Sequence, residues 1–259
     1  CKNEQESQQV LRGITYDQMQ QAVLENKINV PANIPYYGID GSLVTDNFGN
    51  ANLTNPIATT WFVDSENSIV KVQILNSEDS MEQLRSKPLI DDLKTMDCGN
   101  LKSILGRFNH RMNMLNGDEN LNKLLEQQNT EALEFLLKKC GFPNLQNAGE
   151  DGMQTVWSLL QNVPVETRSV YFPQVIEASK NGDLERQDVA LMQDKMLMDY
   201  GKPQLYGSQV LRDDSGNFTL YNLDKPAQVD ARREIMGMTP LKEYLNHFNI
   251  EFNVLQTTN

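Results

Sequence analysis

The stretch LKSILGRFNHRMNML, residues 101–115, marks the point where the sequence takes on a helical period. Its apolar residues recur at intervals of three and four positions, which places them on one face of an α-helix. They are Leu101, Ile104, Leu105, Phe108, Met112 and Leu115. From residue 97 onward the chain is therefore predicted to be mainly helical.

Start and stop signals extend this prediction toward the C-terminus. In NTEALEFLLKKCGFP, residues 129–143, Asn129 or Thr130 is a suitable N-cap, and the glycine and proline at its end stop the helix. A separate short helix is predicted before it, over residues 119–127. Further helices are predicted around residues 153–160, 168–180, 185–199, 229–236 and 241–248.

Two hairpin signals and a short helix complete the pattern. Residues 59–75, TTWFVDSENSIVKVQIL, place a polar turn between two β-rich runs, and residues 204–223 do the same around DDSGN. Residues 14–27 resemble a short helix. The predicted fold class is α+β: a small N-terminal module with a β-hairpin, then a mainly helical domain with an inserted β-hairpin. The predicted divisions are a tether over 1–13, the small module over 14–77, a connector over 78–96 and the helical domain over 97–252.

Composition limits the classes of partner. The chain has 259 residues, a formal net charge of -12 and 39% hydrophobic residues, so a sizeable core is possible. This negative charge repels nucleic acid and anionic membrane surfaces, and both are discounted as ligands. The sequence contains no run of 18 apolar residues, which is about the length that a membrane-spanning helix needs.

The cysteines bear on the compartment. Cys1 is followed by the polar stretch KNEQESQQ, which resembles the start of a mature bacterial lipoprotein, in which the leading cysteine is acylated. The expected location is the cell envelope of a Gram-negative bacterium, on the periplasmic or the outer surface, with a lipid anchor on Cys1. The alternative is an arbitrary chain boundary. Cys98 and Cys140 either pair in an oxidising compartment or remain free and buried.

Four segments, in chain order, carry a family resemblance: CGFP at 140–143, LLQNV at 159–163, QDKMLMDYGKPQLYGSQ at 193–209 and DARREIMGMTPLKEYL at 230–245. Through them residues 97 to about 248 resemble a bacterial family known as domain of unknown function 6624. The family pattern has a "yGwP" step, a "QHa" step, a "DR" helix, a "GkpQlYGTQ" segment and a closing "RR…GL.pl..Y" segment. The family has no established activity, so the resemblance implies membership of a family and does not imply a particular reaction.

The chain departs from that pattern at two positions. Asn162 stands where the family usually has histidine, and Lys195 stands where it usually has arginine. Asparagine forms hydrogen bonds but does not shuttle a proton near neutral pH. If the family histidine is a general base, this member is impaired.

Residues in the matching segments form the candidate ligand-binding set. Amides, a phenol and guanidinium groups suit a polar ligand that carries carboxylate, phosphate or hydroxyl groups. The set is Gln161, Asn162, Asp194, Lys195, Gln204, Tyr206, Gln209, Arg232 and Arg233. The competing interpretation is a structural polar network that satisfies backbone groups.

Local geometry refines these expectations. A helical wheel places Asp194 and Lys195 on an ordinary solvated face, but Leu191 and Met198 interrupt the middle of that face, which leaves contact with another element as the alternative. Arg232 and Arg233 point about 100° apart, so one of them is expected to face a site and the other the surface. The string KPQLYGSQ, residues 202–209, is predicted to leave a helix and enter a hairpin strand, which is either regular or carries a bulge at Gly207 that brings Gln209 beside Tyr206. Its Gln204 and Tyr206 side chains would then face the helix that bears Gln161 and the arginine pair.

Other chemistries lack a motif in this sequence. His110 and His247 have no metal-binding neighbours, and no nucleophile elbow, phosphate loop or dinucleotide fingerprint occurs. No cofactor and no metal are indicated. The sequence favours a non-catalytic binding or interaction protein for a polar ligand or a protein partner. The alternative is an enzyme of hydrolase or transferase type with a polar pocket around Gln204 and Tyr206.

Overall fold

The computed structural model describes residues 10–44, 59–113 and 118–257. The chain forms two compact units, Cys1–Pro143 and Asn144–Asn259. A small sheet lies in the N-terminal unit and helices make up most of the rest, which confirms the predicted α+β class. Within the described residues no helix has the length and apolar character needed to cross a membrane.

The N-terminal unit contains a four-stranded sheet in the order β1-β3-β4-β2. Strands β3 and β4 form the predicted antiparallel hairpin, and β2 pairs with β4 in parallel. Strand β1 overlaps the end of the predicted tether, because Arg12 already pairs with Val63. The strands are β1 (Arg12–Ile14), β2 (Tyr36–Tyr37), β3 (Thr59–Val63) and β4 (Ile69–Ile74).

Alternation in β3 explains which face of the sheet is buried. Thr59, Trp61 and Val63 are buried, while the residues between them are partly exposed, as expected for a period of two. In the polar turn, Asp64 accepts the N–H groups of Glu66 and Ser68, each at 2.9 Å. The turn therefore carries its own hydrogen bonds, which a sequence pattern can reveal.

Five α-helices lie among the described residues of this unit, and the longest differs from its prediction. Residues 119–140 form one continuous helix whose N-cap is Asp118, instead of a short helix followed by a second one capped at Asn129 or Thr130. Asn129 is buried and accepts a hydrogen bond from Arg111 Nε at 2.8 Å, so its side chain is not free to cap a helix. The helices are α1 (Tyr16–Leu24), α2 (Ser77–Ser86), α3 (Leu89–Thr95), α4 (Leu101–Asn113) and α5 (Glu119–Cys140).

The two compact units divide after Pro143. The hydrophobic period and the composition of the sequence predicted boundaries at residues 77 and 97 instead. Helix α1 packs on α4, and α2 and α3 pack on α5. The helices that follow residue 97 thus bury the apolar surface of the N-terminal unit. Cys98 and Cys140 form a disulfide, with Cα atoms 5.4 Å apart, which ties the segment before α4 to the end of α5.

The described part of the C-terminal unit contains five α-helices and the second predicted hairpin. Helix α7 packs on α8, and α6 contacts both. Positive φ values at Gly182, Gly201 and Gly237 follow the ends of three helices, as the sequence indicated. The elements are α6 (Leu145–Asn162), α7 (Val165–Lys180), α8 (Arg186–Asp199), β5 (Val210–Arg212), β6 (Phe218–Leu220), α9 (Val229–Ile235) and α10 (Leu241–Asn246).

Candidate functional site

The string KPQLYGSQ forms a loop that folds back against α8, and the prediction that it enters a strand at residue 204 is wrong. Strand β5 begins only at Val210. Before it, Gln204 forms an isolated bridge with Leu223. The N–H groups of the following residues turn to a side chain of α8 instead of a neighbouring strand, so the alternating geometry of a strand is lost.

That side chain is Asp194, and it is completely buried. Its Oδ1 accepts the N–H groups of Leu205 at 2.7 Å and Tyr206 at 3.1 Å. Its Oδ2 accepts the N–H of Ser208 at 3.0 Å and the Ser208 hydroxyl at 2.9 Å. The prediction of a solvated position for Asp194 is therefore wrong, because the returning loop covers this part of the helix.

Gly207 allows the loop to turn over the carboxylate. Its φ is +71°, in the left-handed region that favours glycine. A Cβ atom at this position would lie 2.7 Å from Cδ1 of Leu241, a fully buried residue of α10. The glycine is thus required both by the backbone conformation and by the packing of α10.

The two glutamines of the string bond to the backbone around them. Gln204 is fully buried, and its Nε2 donates to the carbonyls of Gln209 and Tyr221, each at 2.9 Å. Its Oε1 accepts the N–H of Gln209 at 2.8 Å. Gln209 Nε2 donates to Ser208 Oγ at 3.1 Å. The Gln204 amide therefore joins the loop to the residue that follows β6, and the Gln209 amide adds a contact within the loop.

Both arginines of α9 bind the loop, which corrects the expectation that only one would face it. Arg232 donates through Nε to the carbonyl of Leu205 at 2.6 Å and through Nη2 to that of Asp224 at 2.6 Å. Arg233 donates through Nη1 to the carbonyl of Tyr206 and through Nε to that of Thr239, also at 2.6 Å. Both side chains can do so because the irregular loop presents its carbonyls in two directions.

Tyr206 is half-buried and retains hydrogen-bonding capacity. Its hydroxyl makes a long hydrogen bond of 3.4 Å to Gln193 Oε1. Burial raises the pKa of Tyr206, as does the charge of Asp194, whereas Arg232 opposes the rise. The phenol is therefore protonated at neutral pH. We call the partly exposed group formed by Gln193, Tyr206 and Arg232 the rim.

The predicted residues Gln161, Asn162 and Lys195 have surroundings that do not include the loop's hydrogen bonds. Asn162 is exposed and donates to the carbonyl of Ser158 at 3.1 Å, while Lys195 lies 3.9 Å from Asp199. The Nε2 atom of Gln161 is buried and has no hydrogen-bond partner within the described part of the chain. Among the described residues these three side chains share no hydrogen bond with Gln204 or Tyr206, so of the predicted partners only the arginine pair is joined to the loop by hydrogen bonds.

Two important residues were not in the predicted set. Arg168 is buried and donates to the carbonyls of Leu160, Gln161 and Val163 at 2.7–2.8 Å, which satisfies the end of α6. Tyr244 donates its hydroxyl to the carbonyl of Ser208 at 2.9 Å. The tyrosine lies in the closing segment PLKEY, so the family pattern contained a signal for it. Arg168 had none.

A family comparison agrees with the segments quoted above. The model of the Family of unknown function (DUF6624) matches residues 119–254, which is more than half of the chain. The chain belongs to the DUF6624 family. The DUF6624 region includes the loop, Asp194 and both arginines of α9. Searches of curated proteins and of solved structures gave no match.

Proposed function

We propose that the chain is a non-catalytic binding protein of the cell envelope, and that it holds a polar ligand at the rim. The observation that carries this proposal is the complete engagement of Asp194. Four donor groups, from Leu205, Tyr206 and Ser208, occupy both oxygens of its carboxylate. A buried carboxylate held this way fixes a loop and has no lone pair directed to a substrate.

The rim supplies groups that remain available to a ligand. The Tyr206 hydroxyl has one long hydrogen bond, and Arg232 Nη1 has no hydrogen bond in the described parts of the chain. A phenol and a guanidinium group bind carboxylate, phosphate or hydroxyl oxygens. Hydrogen bonds from Arg232 and Arg233 to the carbonyls of Leu205 and Tyr206 hold the loop rigid, which lowers the entropic cost of binding a ligand there.

The enzymatic alternative has less support. A hydrolase or transferase needs a nucleophile or a general base within reach of a substrate. The Ser208 hydroxyl donates to Asp194 inside the network, and Asn162 stands at the position of the family histidine. A binding role needs neither group.

The disulfide supports the proposed compartment. Disulfides persist in oxidising environments such as the periplasm and are rare in the cytosol. Cys98 and Cys140 are paired here. Cys1 lies outside the described residues, and its acylation stays a prediction. Mass spectrometry of the protein isolated from its native cells tests it, and an N-terminus without acyl chains would contradict it.

The ligand proposal is tested with defined probes on the full chain. Inorganic phosphate, acetate and glucose represent the three chemistries, and calorimetric titration measures their binding. We expect saturable binding of at least one probe, lost in Tyr206→Phe while the melting temperature is unchanged. The hydroxyl makes only one weak bond, so its removal costs less than about 1 kcal/mol of stability.

Asp214→Asn serves as the control, because Asp214 is exposed in the β5–β6 turn. Chromogenic acetate and phosphate esters are assayed in parallel. Turnover that disappears in Tyr206→Phe but survives in the control would favour the enzymatic alternative. Absence of binding together with absence of turnover would leave the loop a purely structural element and refute the proposal.

A further inference from the structure

A polar pocket lies in the N-terminal unit, before the region that the family model matches. It has a volume of about 500 Å³ and lies among β1, α1, α3 and α4. A neighbouring pocket of about 410 Å³ shares part of its wall. The shared residues are Gln21, Glu25, Lys27, Asp92 and Arg107.

Arg107 is the main feature of this shared wall. Only 6% of the residue is exposed, and its Nη2 donates to Asp17 at 2.9 Å and to Asp92 at 2.7 Å. Its Nε is buried and has no hydrogen-bond partner in the described residues. A buried donor without a partner costs about 1–3 kcal/mol. A ligand acceptor that enters the pocket and pairs with this guanidinium group would recover that cost.

Gln21 offers the complementary group. Its Nε2 donates to Glu25 at 2.5 Å and also to Ser103 Oγ. Its Oε1 is buried and, within the described residues, has no donor. Arg107 and Gln21, which both line the two pockets, therefore carry a buried unpaired donor and a buried unpaired acceptor. A ligand that satisfies both carries an acceptor and a hydroxyl donor.

The charges around the larger pocket select an anion. Its lining contains four cationic side chains and two carboxylates, although the whole chain has a net charge of -12. Lys27 pairs with Glu25 at 2.6 Å, and Lys87 donates to the carbonyl of Gly13 at 2.6 Å. Arg12 is exposed and makes no ion pair within the described residues, so its charge is available.

We propose that this pocket binds a small hydroxycarboxylate. The carboxylate accepts from Arg107, with Arg12 contributing a second positive charge, and the hydroxyl donates to Gln21. A volume of about 500 Å³ lies within the range of small-molecule sites. This site differs from the rim in its residues and in its unit of the chain, so the two proposals stand or fall separately.

Calorimetric titration of the full chain with tartrate tests the site, with succinate as the matched probe that lacks hydroxyls. We expect saturable tartrate binding and weaker succinate binding. Arg12→Gln should weaken tartrate binding about threefold or more, since it removes one partly screened charge. Gln21→Met keeps the side-chain length and should abolish the preference for tartrate.

Two controls separate this result from other causes. Arg85→Gln removes an exposed arginine of α2 outside both pockets and should leave tartrate binding unchanged. Tyr206→Phe removes any binding of tartrate at the rim, so saturable tartrate binding should persist in this variant and should still weaken when Arg12→Gln is added. A titration up to about 10 mM tartrate that gives no saturable heat would overturn the proposal, because it would mean a dissociation constant above the millimolar range. Equal affinity in the Arg12 and Arg85 variants would also overturn it.

Discussion

Ser208 binds the carboxylate of Asp194 twice, through its backbone N–H at 3.0 Å and through its hydroxyl at 2.9 Å. The pair joins a loop to a fully buried position on α8. On the other side of the loop, Tyr244 and the two arginines of α9 donate to its carbonyls. The loop is thus held by a carboxylate through its N–H groups and by cations and a phenol through its carbonyls.

Replacement of this carboxylate should destabilise the protein. Asp194→Asn leaves one acceptor oxygen for donors that two oxygens now serve, and it places an amide N–H₂ group against backbone N–H groups. Buried unsatisfied donors cost about 1–3 kcal/mol each. We expect a loss of about 3 kcal/mol, measured by urea denaturation. Asp214→Asn, at an exposed position, should cost less than about 0.5 kcal/mol, and equal losses in both variants would contradict the assignment.

Substitution of Gly207 should separate steric clash from backbone strain. Gly207→Ala places a Cβ atom 2.7 Å from Leu241 and keeps a positive φ, so we expect a loss of about 3 kcal/mol. Gly201→Ala has a similar φ of +67° but open space around its Cβ atom, so only strain of about 1 kcal/mol remains. Thermal melting of both variants gives the difference. If the two losses are equal, contact with Leu241 contributes nothing.

Reduction of the disulfide should lower the stability of the N-terminal unit. The Cys98–Cys140 bond has a sequence separation of 42 residues, and a closed loop of this length contributes about 4 kcal/mol in the chain-entropy account. The midpoint of urea denaturation should therefore fall when reductant is added. The double variant Cys98→Ser/Cys140→Ser should start at the lower midpoint and be unaffected by reductant.

Acid should weaken the N-terminal unit through Asp17. Burial alone would raise the pKa of this carboxyl, but Arg107 and Arg111, with hydrogen bonds from Thr15 and Arg107, hold it below its usual value. The folded state thus binds the proton less tightly than the unfolded state does. Stability from this group is fully present above the ordinary carboxyl pKa of about 3.9 and is lost as pH falls through the lower folded value.

Denaturation measured from pH 7 to pH 2 checks this dependence. Asp17→Asn should be less stable at neutral pH, since it leaves Arg107 and Arg111 with less compensation, and should show a smaller loss on acidification. Asp214→Asn removes a carboxylate from an exposed site and should retain the full acid dependence. If the loss of stability on acidification were unchanged in Asp17→Asn, other carboxyl groups would control the acid dependence.

The sequence by itself determined the elements whose signals are local. Gly182, Gly201 and Gly237 end helices because their backbone conformation favours glycine wherever the helix packs. The turn at Asp64 forms within five residues, and the hairpin around it follows the alternation of β3. Such features depend on neighbours in the chain, so a pattern is enough to find them.

Only the tertiary structure decided which polar residues are buried and with what. The wheel of α8 left Asp194 on a polar face, but the loop that returns over it comes from eleven to fourteen residues later. Asn129 is a good cap by type, yet Arg111 of another helix engages it. In both cases the partner comes from outside the helix that carries the residue, and the cost of burying an unpaired polar group then fixes the arrangement.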